Sequence, residues 1–162
     1  MVKGVICISR AVLSDAPRLR DIAVLAFMDD ERYKQETAKP GGPPGHDSVQ
    51  VHEEWIRSWD YCKCEMEGKV VAGCVVKHHG TQGEIFGLFV DPACMRQGIG
   101  SDLIQHTLFT NNHVETWYLE TPDYSSRNHA FYAHNGFFLT HKTDTVPELG
   151  FGFHKYEHIN EK

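Results

Sequence analysis

The run Leu88-Phe89-Val90-Asp91-Pro92-Ala93-Cys94-Met95-Arg96-Gln97-Gly98-Ile99-Gly100-Ser101-Asp102-Leu103-Ile104 constrains this chain more than any other stretch. An apolar strand pattern stops at Asp91-Pro92. Past two glycines an amphipathic helix begins, with Ile99, Leu103, Ile104 and Leu108 on one side. A strand that feeds a helix in this way belongs to an α/β architecture, because each element must bury its apolar face against the other. The same run is an anion site in principle. The first N–H groups of a helix lack internal partners, and the dipole puts partial positive charge there. Gly98 and Gly100 remove the Cβ atoms that would hold a phosphate off the backbone, and Arg96 adds a cation.

The flanking sequence supplies the rest of a mixed sheet. Residues 5–8 read as a short strand, and Ser14 as the N-cap of a helix that runs to about Met28 with Pro17 in its first turn. Lys39-Pro40-Gly41-Gly42-Pro43-Pro44-Gly45 breaks both helix and strand, and too few residues precede it for a separate core, so it reads as a long internal loop, of the kind that is functional or mobile. Asp47-Ser48 caps a second helix through Val51, Trp55, Ile56 and Trp59, the two tryptophans forming a core face. A meander over residues 61–66, 70–76 and 84–90 follows, then a helix over 99–110 and a strand over 115–120. A helix over 127–134 stops at Asn135-Gly136, and residues 137–141 and 150–156 give two more strands. The expected fold is α/β, a mixed sheet of about seven strands with helices on both faces, in a single domain over residues 1–162.

Composition removes several functions. Sixteen basic against 22 acidic side chains leave a net charge of −6 without a Lys/Arg run, which argues against nucleic acid as a partner. The longest apolar stretch, residues 70–76, falls far short of the ~20 residues of a membrane span, and no apolar signal-peptide core follows Met1. Cys7, Cys62, Cys64, Cys74 and Cys94 contain no Cys-x-x-Cys pair and read as reduced thiols of a cytoplasmic protein. Eleven histidines include no His-Glu-x-x-His, and the adjacent His78 and His79 point to opposite faces of a strand, so no metal is expected.

The glycine turn is not a Walker A loop, which needs a Lys, nor a dinucleotide fingerprint, whose third glycine falls on Leu103. The wider strand–Asp-Pro–loop–Arg-Gln-Gly-Ile-Gly–helix arrangement resembles the acyl-CoA pyrophosphate loop of the GNAT superfamily of N-acetyltransferases. The family pattern, Gln/Arg-x-x-Gly-x-Gly/Ala, finds its glycines at Gly98 and Gly100 and meets Met95 at its first position. Downstream, Phe131-Tyr132-Ala133-His134-Asn135-Gly136-Phe137 resembles the family's Phe-Tyr-x-x-x-Gly-Phe segment. Gly41-Gly42-Pro43-Pro44-Gly45 with Asp47-Ser48, and Glu120-Thr121-Pro122, resemble one GNAT subgroup, and no acceptor comes with that resemblance.

The resemblance implies a GNAT-like fold and an enzyme that moves an acetyl group from acetyl-CoA, without metal, to a primary amine by direct transfer. Acetyl-CoA contacts fall on Phe89, Val90, Met95, Arg96, Gln97, Gly98, Ile99, Gly100, Ser101, Asn128 and Phe131. Phe89 and Val90 offer main chain to the pantetheine arm, and the amides of residues 96–101 face the pyrophosphate. Tyr132 matches the family's acid beside the cofactor sulfur, and Glu84 its base, acting through water, with Glu120 as competitor. The loop at 39–47 and the two N-terminal helices are expected to shape the pocket of a small amine-bearing acceptor, whose identity stays open between a polyamine, an amino acid, an aminoglycoside and a protein N-terminus. Asp29, Asp30, Glu31, Glu53 and Glu54 either attract a cationic amine or form a solvated acidic face. A homodimer through the terminal strands fits the family. Two alternatives stand beside this reading: a non-catalytic acyl-CoA-binding or regulatory domain, and an anion-binding module for some other phosphate.

Overall fold

The computed structural model describes residues 4–160. A meander of β1 (Ile6–Arg10), β2 (Asp60–Met66), β3 (Lys69–His79) and β4 (Gln82–Val90) makes one half of the sheet, each strand antiparallel to the next. β5 (Thr116–Pro122) runs parallel to β4, β7 (Phe153–Ile159) antiparallel to β5, and β6 (Phe138–Lys142) closes the far edge. This is the mixed seven-stranded sheet expected, in the order β1-β2-β3-β4-β5-β7-β6.

Helices cover both faces. On one, α1 (Ala16–Asp30) and α2 (Val49–Ser58) bury Leu19, Ile22, Trp55 and Ile56 with Tyr61 and Phe89 of the sheet. On the other, α3 (Ile99–Thr110) and α4 (Ser126–His134) bury Leu103, Ile104 and Tyr132 with Trp117, Leu119 and Phe137. Among the described residues no helix is long and apolar enough to cross a membrane, and no three His, Cys, Asp or Glu side chains gather at a metal-sized site.

Three of the boundaries that differ from the expected ones bear on the site. The N-cap of α1 is Asp15 rather than Ser14, because a 3-10 turn over Leu13–Asp15 precedes the helix. The Asp15 carboxylate is held there by the Val12 N–H and the Lys63 ammonium, both at 2.8 Å. At its other end α1 continues two residues past Met28 to Asp30. β7 begins at Phe153, three residues later than expected, since the preceding segment leaves the sheet and the Gly152 N–H donates to the Asp123 carboxylate at 2.9 Å. The cap of α2 is as read from the sequence, with Ser48 Oγ accepting the Val51 N–H at 3.3 Å.

The decisive feature of the sheet is a bulge. Val75 pairs with Gly87 and Val76 with Ile85, which leaves Phe86 as the extra residue on β4. Its ring packs edge-on against Trp55 and Trp59, at 5.4 and 5.3 Å between centroids, so α2 holds the bulge in place. A bulge bends its strand and increases the local twist. β4 and β5 accordingly pair only from Gln82↔Thr116 to Glu84↔Tyr118, and beyond that rung they separate.

Candidate active site

Two cavities occupy the opening between β4 and β5, and they share Phe27, Asp30, Leu88, Asn128 and Tyr132. The first, about 350 Å³, lies at the N-terminus of α3. Gly98 caps that helix at φ 77°, a left-handed conformation open to glycine at little cost, and Arg96 also stands at φ 66°. The first helical bond runs from the Asp102 N–H to the Gly98 carbonyl at 2.9 Å, so the amides of Ile99, Gly100 and Ser101 precede the ladder. A Cβ on Gly100 would sit 3.1 Å from the Phe131 ring, tight against the cavity wall. Asp91 fixes the turn, accepting the Ala93 N–H at 3.0 Å and pairing with Arg18 of α1 at 2.9 Å.

Three cations line this cavity: Arg32, Arg96 and Arg127. Arg127 bonds Asp29 at 2.6 Å and lies 3.5 Å from the Met95 sulfur. A guanidinium carried by α4 therefore stands beside the position where the family loop has Gln or Arg. Of the residues expected to contact acetyl-CoA, Phe89, Val90, Met95, Arg96, Gly98, Ile99, Gly100, Ser101, Asn128 and Phe131 all line the cavity, whereas Gln97 does not. The Asp91 N–H donates to Val71 of β3 at 2.8 Å. By strand alternation the Phe89 amide then faces β3 as well, and the amides of Leu88 and Val90 face the opening. Phe89 thus contributes chiefly its ring, which anchors the strand in the α1–α2 core.

The second cavity, about 240 Å³, is walled largely by aromatic and proline side chains from six separate stretches. Phe27 comes from α1, Pro40, Pro43 and Pro44 from the long loop, Phe86 from β4, Pro122 and Tyr124 from the end of β5 and the turn after it, Tyr132 from α4, and Phe151 and Phe153 from the approach to β7 and its first residue. The loop is seated by close approach. A Cβ on Gly41 would collide with the Tyr124 hydroxyl, and one on Gly42, at φ 119°, would meet the His46 ring at 2.9 Å. The Lys39 N–H donates to the Leu149 carbonyl at 2.7 Å, tying this loop to the segment before β7. A buttress stands behind it: buried His52 lies 2.6 Å from the His46 carbonyl through Nε2 and 2.8 Å from the Tyr61 hydroxyl through Nδ1. Burial holds the His52 imidazole below its ordinary pKa. The neutral ring donates from Nε2 and accepts the Tyr61 proton at Nδ1. α2, expected to shape this pocket, contributes no lining residue; it supports the bulge and the loop from behind.

Tyr132 sits where the cavities meet, packed against Phe131 and Phe137 at 5.2 and 5.8 Å. Burial, then the nearby Cys74 and Asp30, push its phenol well above the usual range, so it holds its proton at neutral pH. Glu84 lines neither cavity. It lies on the last paired rung, accepting the Tyr118 hydroxyl at 3.2 Å with His79 Nε2 at 3.4 Å, and Tyr118 is pushed up to about 12 by burial and by this carboxylate. Glu120 lines the aromatic cavity.

One polar residue of the opening, Arg127, has no role assigned in the sequence reading. Asp30, read there as either attracting a cationic amine or forming part of a solvated acidic face, is only 6% exposed. Its signal was present: the buried positions of α1 are Ala16, Leu19, Ile22, Ala23, Ala26 and Asp30, one helical stripe that ends on a carboxylate.

Comparison with known proteins gives the same architecture. The structure is similar to the ribosomal-protein-S18-alanine N-acetyltransferase of Escherichia coli, with TM-score 0.77 and 18% identity over 98% of this chain and 96% of that one. It is also similar to Ard1 from Thermoplasma volcanium, with TM-score 0.74 and 18% identity over 97% and 99% of the two chains. The PaiA N-acetyltransferase of Thermoplasma acidophilum in complex with coenzyme A follows, with TM-score 0.69 and 15% identity over 96% and 99%. At these identities the likeness is one of fold. No curated protein sequence matches the chain. The family description "Acetyltransferase (GNAT) domain" matches residues 57–138, half of the sequence, a span that holds the bulge, the glycine turn and Tyr132. The chain therefore belongs to the GNAT acetyltransferase family, and is an acyltransferase.

Proposed function

We propose that this chain, acting as one acetyltransferase domain, transfers an acetyl group from acetyl-CoA to a primary amine directly, in a ternary complex. The observation that carries the reading is the meeting of two cavities of opposite character at the unpaired edge of β4. The arginine-lined cavity suits acetyl-CoA. Its free amides at Ile99, Gly100 and Ser101, with Arg96 and Arg127, match a pyrophosphate in charge and in donors. The Leu88 and Val90 amides, turned toward the opening, match the amide-bearing pantetheine arm, and the relatives described above include one solved with coenzyme A. The aromatic cavity is then the acceptor site.

Acetyl-CoA, when bound, supplies a thioester carbonyl at the junction. The chain's residues manage protons around it. Glu120 draws a proton from the incoming ammonium, which frees the nitrogen lone pair to form the N–C bond. As the C–S bond breaks, Tyr132 gives its phenolic proton to the departing sulfur and regains one from the nitrogen. One proton is released overall. Glu84, on the last paired rung, has no access to the acceptor except through Tyr118 or solvent, and Glu120 is preferred for that reason.

The first test is thermal stability with acetyl-CoA at about 100 times its dissociation constant. Binding there adds about 2.7 kcal/mol, a rise of several degrees at this size. Thiol release with an amine should follow. A rise without thiol release from any amine would favour a non-catalytic acyl-CoA-binding domain, and no rise in folded protein would overturn the reading.

A further inference from the structure

Resting on that reading, we propose that the acceptor is a compact cationic amine with an apolar or aromatic body and no carboxylate, and that Asp30 holds its ammonium. Asp30 is only 6% exposed and lines both cavities. Its Oδ2 accepts a hydrogen bond from the Ser125 hydroxyl, but its Oδ1 is buried with no hydrogen-bond partner. The nearby cation is Arg127, whose Nη2 stands 3.9 Å from Oδ1, beyond hydrogen-bond reach. That guanidinium is already engaged through Nη1 with Asp29, at 2.6 Å, and Arg32 bonds the same Asp29 carboxylate. Asp30 is therefore a buried carboxylate with an open acceptor position, at the point where an acetyl group and an amine must meet. A buried carboxylate oxygen without a hydrogen-bond donor is costly, and an ammonium supplies the donors that are missing together with a second positive charge beside Arg127.

The rest of the cavity selects the body attached to that ammonium. Phe27, Phe86, Leu149, Phe151 and Phe153 offer apolar surface, and among the described residues no Lys, Arg or His lines the cavity. A carboxylate on the acceptor would be desolvated beside Asp30 and Glu120 with nothing to pair it. The volume of about 240 Å³ lies below the ~300–1,000 Å³ of pockets for drug-sized ligands, which sets the size of the guest. In the transfer, the ammonium held by Asp30 loses one proton to the base and a second as the N–C bond forms. The thiolate released by C–S cleavage takes up one of these, and the other leaves to solvent.

The test compares four amines on the full chain with saturating acetyl-CoA, following thiol release: 2-phenylethylamine, phenylalanine, spermidine and a peptide with a free N-terminus. 2-Phenylethylamine should exceed phenylalanine at least tenfold in kcat/KM, and should exceed spermidine and the peptide as well. Asp30→Asn should raise KM for 2-phenylethylamine at least tenfold while leaving the stabilisation by acetyl-CoA intact. Preference for phenylalanine, spermidine or the peptide would overturn the proposal, and so would an Asp30→Asn variant with unchanged KM. If acetyl-CoA does not stabilise the wild-type chain, the acetyltransferase reading fails first. If it does and the amine order is wrong, only this inference fails. The amine panel uses wild-type protein, so it decides the matter even where the variant does not fold.

Discussion

The two cavities that meet at the β4–β5 opening differ in charge and in construction. One carries Arg32, Arg96 and Arg127; the other carries Glu120 and, among the described residues, no cation, while Asp30 lines both. The positively lined cavity is centred on one contiguous turn and the start of its helix, with α1 and α4 closing it. Its aromatic neighbour is assembled from α1, the proline loop, β4, the end of β5, α4 and the approach to β7. Charge is thus sorted across a border of shared residues, Asp30 and Tyr132 among them. Anionic and cationic substrates would each be drawn to their own side, and their reacting groups would be brought together at the buried pair.

The strongest way to break this division is to fill one side. Gly100→Leu pushes a side chain toward Phe131; stabilisation by acetyl-CoA should vanish and thiol release fall at least about 10⁴-fold, the upper end of what loss of one acid–base group costs. A folded variant, checked by circular dichroism, that still gains stability from acetyl-CoA would move the cofactor elsewhere. Next in size is the border itself. Tyr132→Phe should lower kcat roughly 10²- to 10⁴-fold with both KM values nearly unchanged. An unaltered kcat would reduce Tyr132 to a packing residue among Phe131, Phe137 and Tyr156.

A paired comparison of carboxylates sharpens the assignment further. Glu120→Gln should cost about a hundredfold in kcat at pH 7, while Glu84→Gln, outside both cavities, should stay within about twofold. The reverse order, read from steady-state kinetics, would return the base to β4.

The smallest expected effect concerns pH. Burial lowers the pKa of His52 in the folded chain, so the native state binds fewer protons than the unfolded one around pH 6.5. Stability from the neutral ring is complete above that pH and is lost as pH falls below it. The melting temperature should therefore drop by a few degrees between pH 7.5 and 5, with acceptor KM rising, because His52 supports the His46 end of the proline loop. His52→Gln should flatten that slope in thermal scans; a slope that persists would assign it to other groups.

The legibility of these parts follows their construction. The glycine turn, its helix and the Phe-Tyr segment were readable because an anion site at a helix N-terminus is made by neighbours in sequence, and the element order followed from apolar periodicity and turn residues. Glu84 illustrates the limit. Its place in the chain matches a catalytic position of the family, but that it lies outside both cavities is set by where β4 parts from β5, beside a bulge that Trp55 and Trp59 of a distant helix pack against. Gly87 inside the strand was the local hint.

The sequence by itself determined the mixed sheet, the glycine turn at the start of α3 and the residue types available for proton transfer, since each rests on local propensity and spacing. Only the tertiary structure decided that Asp30 is buried while Asp29 absorbs two arginines, that Arg127 stands beside Met95, and that the chain before β7 walls a cavity. Those outcomes depend on which segments far apart in sequence come into contact, and burial sets the chemistry of a charged group only once that packing exists.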